Sequence, residues 1–175
     1  MAIFVSLTSF FIINFNTVNS RIALDNQAHE IALWIREAQA YAMGIRASGS
    51  TFTPTYGIYF DTSTPGSFIV FVDRSSPRNF VYDAGGTCGD GSSECLKQIS
   101  LPARMTISAI SAKDSGGATV SPSPTAINIS FTRPNADATI RDATTGYSEA
   151  EITISSPRGY NRKIGVISSG QIAVR

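Results

Sequence analysis

No charged side chain occurs in the first twenty residues, and a helical pattern then continues unbroken through roughly Arg46. The first charge is Arg21 and the first proline is Pro54. Nothing in this stretch interrupts backbone hydrogen bonding from residue i to i−4, and its apolar residues must be kept from water. One long helix with an oily front end is the element around which the remainder has to be arranged.

From Leu24 the apolar positions run Leu24, Ala28, Ile31, Ile35, Ala38, Ala42 and Ile45, at alternating spacings of four and three. That spacing places them on one helix face. Trp34 and Tyr41 fall on a neighbouring face and widen the stripe enough to dock on a sheet. The opposite side holds Arg21, Asp25, Glu30, Arg36 and Glu37, with Arg21 and Asp25 spaced to pair at i,i+4. Gly44 weakens the last turn, and the small-residue run Ala47 to Ser50 is predicted to end the helix.

Upstream, Met1 to Phe15 is apolar on every face apart from Ser6, Thr8, Ser9 and Asn14. Fifteen residues rise only about 22 Å, short of a hydrocarbon core of roughly 30 Å. A cleaved signal peptide would show a basic start and a small-residue cleavage site, and neither is clear. A buried core helix is the other alternative, disfavoured because the stripe continues in phase past the all-apolar part. The reading taken is a membrane segment whose first turns precede Met1, with Ile3, Phe4, Leu7, Phe10, Phe11 and Phe15 as its packing surface.

After the helix the period shortens to two. Tyr56–Phe60 and Phe68–Val72 are strand-type runs around a turn segment from Asp61 to Gly66, and so are predicted to form a hairpin. Further strand candidates are Gln98–Leu101, Met105–Ile110, Ala126–Phe131, Ala150–Ser155, Lys163–Ile167 and Gln171–Val174, with Ser111–Pro124 a loop. The expected fold class is α+β: one long N-terminal helix laid on antiparallel sheet, shaped like a lollipop. The expected division is a hydrophobic segment over 1–23 and a globular domain over 24–175, with its amphipathic helix at 24–47 and its β-rich part at 55–175.

Charged residues make up only 15% of the chain and the net charge is +1, which excludes a bulk electrostatic pull on polyanions. Cys88 and Cys95 bracket a Gly/Ser loop and read as a disulfide, hence an oxidising compartment; two reduced thiols are the alternative. Two thiols are only half a structural zinc site, and the sole histidine, His29, lies on the helix. Asp83, Asp90 and Glu94 put oxygen ligands in the same glycine-rich loop, so calcium was weighed, but full EF-hand spacing is missing. No cofactor is expected. No nucleophile motif, phosphate loop or dinucleotide fingerprint occurs, so an enzyme is not expected either.

One basic cluster stands out: Arg158, Arg162 and Lys163 lie within SPRGYNRK, with Tyr160 between them. Cations on a turn beside a stacking aromatic make a plausible polyanion contact, to which Arg133, Arg141 and Arg175 add only if the fold gathers them.

The stretch MAIFVSLTSFFIINFNTVNSRIALDNQAHEIALWIREAQAYAMGIRAS resembles the N-terminal helix of the type IV pilin superfamily, in particular minor pseudopilins of the GspH/FimT type. The closing GYSEAEITISSPRGYNRKIGVISSGQIAVR resembles the last strands of that family: a basic turn, a strand, and a Gly-led final strand. Between these anchors the similarity is one of layout. The family's basic leader, Gly/Phe cleavage site and fifth-position glutamate are not in this sequence, and Met1 to Phe4 resembles the middle of its hydrophobic segment. An in-frame upstream extension carrying those features is therefore expected.

The resemblance implies a single-pass inner-membrane subunit with an extracytoplasmic head, drawn into a secretion pseudopilus or a type IV pilus. Its partners would be other pilins or pseudopilins and the inner-membrane assembly platform. Some FimT-like members are regarded as DNA receptors through a similarly placed basic segment. DNA uptake through Arg158, Tyr160, Arg162 and Lys163 is thus the alternative.

Overall fold

The computed structural model describes residues 2–44, 54–102 and 104–175, with side chains from residue 19 onward. Helix α1 (Ala2–Met43) precedes β1 (Thr55–Asp61), β2 (Ser67–Asp73), β3 (Cys95–Ser100), β4 (Thr106–Lys113), β5 (Ala126–Phe131), β6 (Ala138–Arg141), β7 (Gly146–Tyr147), β8 (Glu149–Ser155), β9 (Asn161–Ile167) and β10 (Ile172–Val174). The strands form two antiparallel sheets, ordered β3-β2-β1-β5-β6-β7 and β10-β9-β8-β4. The fold is α+β, with the N-terminal helix packed on antiparallel sheets.

The stripe read from the sequence is the docking face of α1. Leu24, Ala28, Ile31, Ile35, Ala38 and Ala42 are all buried, while Ile45 lies outside the described residues. They meet β1 and β5 of the first sheet and β8, β9 and β10 of the second, so α1 lies across both sheets. Strand alternation supplies the facing surface. In β8, Ala150, Ile152 and Ile154 point inward while Glu149, Glu151, Thr153 and Ser155 point out. Ile58, Phe60, Ile127, Ile129, Phe131, Ile164 and Val166 complete the same core.

Close packing fixes some positions by their lack of a side chain. A Cβ on Gly57 would lie 2.7 Å from the Phe71 ring and 2.8 Å from the Ile129 carbonyl oxygen. Gly170, at φ +81°, turns β9 into β10, and a Cβ there would come within 2.1 Å of the Ala136 carbonyl oxygen. Gln39 of α1 reaches this corner and donates from Nε2 to Ala136 O at 2.8 Å and to Gly170 O at 3.3 Å.

Several expectations need correction. Helix α1 is described to Met43 with Gly44 in a turn, the expected end at Ala47 lies outside the described residues, and Arg133 donates from Nε to the Met43 carbonyl at 3.1 Å. A distant arginine thus supplies a donor near the C-terminal end of the helix. β6 and β7 were not foreseen, being four and two residues long with little apolar pattern of their own. They are held by pairing to β5 and to each other. The predicted loop from Ser111 starts late, because β4 runs on to Lys113 against Glu149.

Between β2 and β3 the chain folds over the outer face of the first sheet. Tyr82 sits 5.3 Å from Tyr59 and 5.8 Å from Phe71, ring centre to centre, and its amide donates to Asn128 Oδ1 at 2.9 Å. Cys88 and Cys95 are joined as a disulfide, with their Cα atoms 4.6 Å apart.

Candidate functional site: the helix neck and its outward stripe

The turn between β8 and β9 closes on α1 where the uncharged run gives way to the amphipathic part. Arg158 donates from Nη1 to Ser20 Oγ at 2.7 Å. Arg162, the second residue of β9, donates from Nε to Asp25 Oδ1 at 2.8 Å. Between them the Arg21 guanidinium lies 4.4 Å from the centre of the Tyr160 ring, a cation–π contact. The hydrogen bond from Arg162 holds the Asp25 carboxyl below the usual carboxylate range. Asp25 thus pairs across the fold instead of with Arg21, because Arg162 comes from a rigid strand and Arg21 takes the aromatic face. His29 Nε2 is a further 4.0 Å from Asp25 Oδ2 on the same helix face.

The cluster that reads as one patch in the sequence is divided by the pleat of β9. Tyr160 and Arg162 share the helix-facing side, whereas Lys163 points the other way and pairs with Glu151 at 2.6 Å. There it joins Lys113, which pairs with Glu149 at 2.6 Å, and Arg175, whose Nη1 is 3.9 Å from Glu149. Arg133 is bound at the C-terminal end of α1, and Arg141 donates to Asn79 O at 2.9 Å in the first sheet. The fold therefore gathers Arg21, Arg158, Tyr160 and Arg162 at the neck and places the other cations elsewhere.

The loop weighed for calcium spends its oxygens on its own backbone. Asp90 accepts from the amides of Ser93, Ser92 and Thr87 at 2.8, 2.9 and 3.1 Å, and those amides push its pKa down to about 2. Glu94 accepts from the amides of Asp83 and Arg74 at 2.8 and 2.9 Å and from Ser75 Oγ at 3.2 Å. Asp83 in turn accepts from Ser75 Oγ and Asn79 Nδ2. Among the described residues no group of three or more His, Cys, Asp or Glu side chains is placed to hold a metal ion.

A second surface lies on the side of α1 away from the sheets. Ile22 is 53% exposed and Leu33 is 60% exposed, and they are the exposed large hydrophobics among the described residues. Eleven residues apart, they lie within about 20° of each other around the helix axis at about 100° per residue. Beside Leu33 a groove runs between α1 and the edge strand β10, lined by His29, Ala32, Arg36, Ile172 and Val174. Both are apolar positions out of phase with the buried stripe.

The side chains of Ile3, Phe4, Leu7, Phe10, Phe11 and Phe15 lie outside the described residues, although the backbone of α1 continues through them. Among the described residues no helix is long and apolar enough to cross a membrane. No family model, curated protein or solved structure matches the chain.

Proposed function

We propose that the chain is a structural minor pilin or pseudopilin of the GspH/FimT type, held in the inner membrane by the front of α1 and built into a filament through it. The observation that carries this reading is the division of labour along one helix. Leu24, Ala28, Ile31, Ile35, Ala38 and Ala42 are buried against the sheets, while the same helix carries a mainly apolar run through Phe15 with no charge before Arg21. An apolar helix of this kind satisfies its backbone internally and is tolerated in lipid. Packed against neighbouring helices it would remain dry as well.

The partners on this reading are sister pilins and the inner-membrane platform, and the head faces the extracytoplasmic side. The disulfide fits such a compartment. DNA uptake receives less support, because Lys163 is turned away from Arg158 and Arg162 and pairs with Glu151.

The test is photo-crosslinking in the producing cell, with a benzophenone side chain placed at Ile22 or Leu33. Cross-links to other pilin-like subunits in the membrane or sheared-filament fraction are expected. Recovery of the intact chain only as a soluble, uncross-linked monomer overturns the proposal.

A further inference from the structure

We infer that the neck of α1 seats on anionic phospholipid headgroups, gripping them with Arg21, Arg158 and Arg162 around Tyr160. The inference rests on the membrane reading above and adds to it a partner for the basic turn. Along α1 the mainly apolar run ends at Phe15 and no charge precedes Arg21, which lies six residues, about 9 Å, further on. The β8–β9 turn brings Arg158 and Arg162 to this part of the helix through Ser20 and Asp25. With the apolar run through Phe15 in hydrocarbon, the three guanidinium groups fall at the level of the headgroup layer.

The chemistry of the cluster fits that layer. The neck carries three arginines and one carboxylate, Asp25, which pairs with Arg162, so the neck is cationic although the whole chain is nearly neutral. Arg21 and Arg158 are exposed, and the paired Arg162 and Asp25 side chains keep 39% and 45% of their surface in solvent. Guanidinium groups can bind a phosphate with two parallel hydrogen bonds while holding a second contact. A tyrosine at this depth, half-buried and covered by Arg21, matches the interfacial preference of amphipathic aromatics. A duplex would have to approach the same ring of residues from the side the bilayer occupies, so a lipid surface is the partner the geometry favours.

The full chain should be floated with vesicles of phosphatidylcholine alone and with vesicles also containing phosphatidylglycerol, at low and high salt. Partition into the anionic vesicles is expected to be about tenfold stronger at low salt, with the advantage shrinking as salt rises. R158Q together with R162Q should bring the two partition coefficients close to equality. D25N should raise the anionic preference about fivefold. Both variants remove the Arg162–Asp25 ion pair, so a purely structural role of that pair would move them in the same direction, and that result overturns the inference.

Equal partition of the unaltered chain into both vesicle types also overturns it and leaves the anchoring intact. Failure to float with either vesicle removes the anchoring reading itself. A shift on duplex DNA lost in R158Q/R162Q, alongside equal vesicle partition, assigns the arginines to nucleic acid and overturns the lipid inference.

Discussion

Arg162 of β9 and Asp25 of α1 meet at 2.8 Å, joining two residues that are 137 positions apart in the chain. Their bond ties β9 to α1 beside the buried stripe that docks the helix. It also depresses the Asp25 pKa, chiefly through the hydrogen bond from Arg162. The linkage has a definite sign. The contribution of the pair is present above the ordinary value of 3.8 and is lost as pH falls through the depressed one. Carboxyl NMR titration should find Asp25 below the normal range and should find it moved upward in R162Q. A double-mutant cycle in urea should give a coupling that weakens with added salt, as expected for a pair this open to solvent.

Neighbouring positions on α1 should respond in opposite ways to truncation. Ile35 is fully buried, so I35A should cost about 3 kcal/mol of stability. Leu33 is mostly exposed, so L33A should stay within about 0.5 kcal/mol while reducing cross-linking to sister subunits. Urea denaturation of the two variants checks the stability half. A large loss in L33A would mean that its face is already covered within the chain.

At the β9–β10 turn, G170A should destabilise by about 2–4 kcal/mol, since the new methyl meets a backbone oxygen at 2.1 Å in a left-handed conformation. Q39A removes only the amide bonds to Ala136 and Gly170 and should cost about 1 kcal/mol. Thermal melts of both variants would order them.

Reduction of Cys88–Cys95 should lower stability by roughly 2–3 kcal/mol on the chain-entropy estimate for so short a loop. The carboxylate network around Glu94 holds the same excursion independently, so reduced protein should remain folded. Circular dichroism melts with and without reductant test this, and loss of the folded baseline at room temperature would contradict it.

Two tyrosines should titrate late. Burial, aided by Asp61, pushes Tyr59 up to about 12, and burial together with the bond to Asp142 does the same for Tyr147. Their contribution to stability is complete below about pH 10, the ordinary phenol value, and disappears as pH rises through about 12. Absorbance at alkaline pH should therefore show a late phase that Y59F and Y147F each reduce.

The docking face of α1 was legible because burial on a sheet imposes a four-and-three rhythm that Leu24 to Ala42 keep without a break. The β1–β2 hairpin was legible because β-branched and aromatic runs flank a Pro-Gly turn. β6 and β7 were not, since their pairing comes from β5 and not from their own residues. The neck was half legible. SPRGYNRK announced a basic turn, but the pleat that separates Lys163 from Arg162 depends on strand phase. The acceptors of Arg158 and Arg162, Ser20 and Asp25, lie more than 130 positions away, and local sequence does not supply them.

The span of α1 across both sheets carries a final consequence. The sheets owe part of their union to a rod that belongs to neither, much as two leaves of a hinge share one pin. A fragment beginning after Met43 would bare Ile58, Ile129, Ile164 and Val166 along the seam. Such a fragment should clump instead of folding, so head and stalk are one cooperative unit and must mature together.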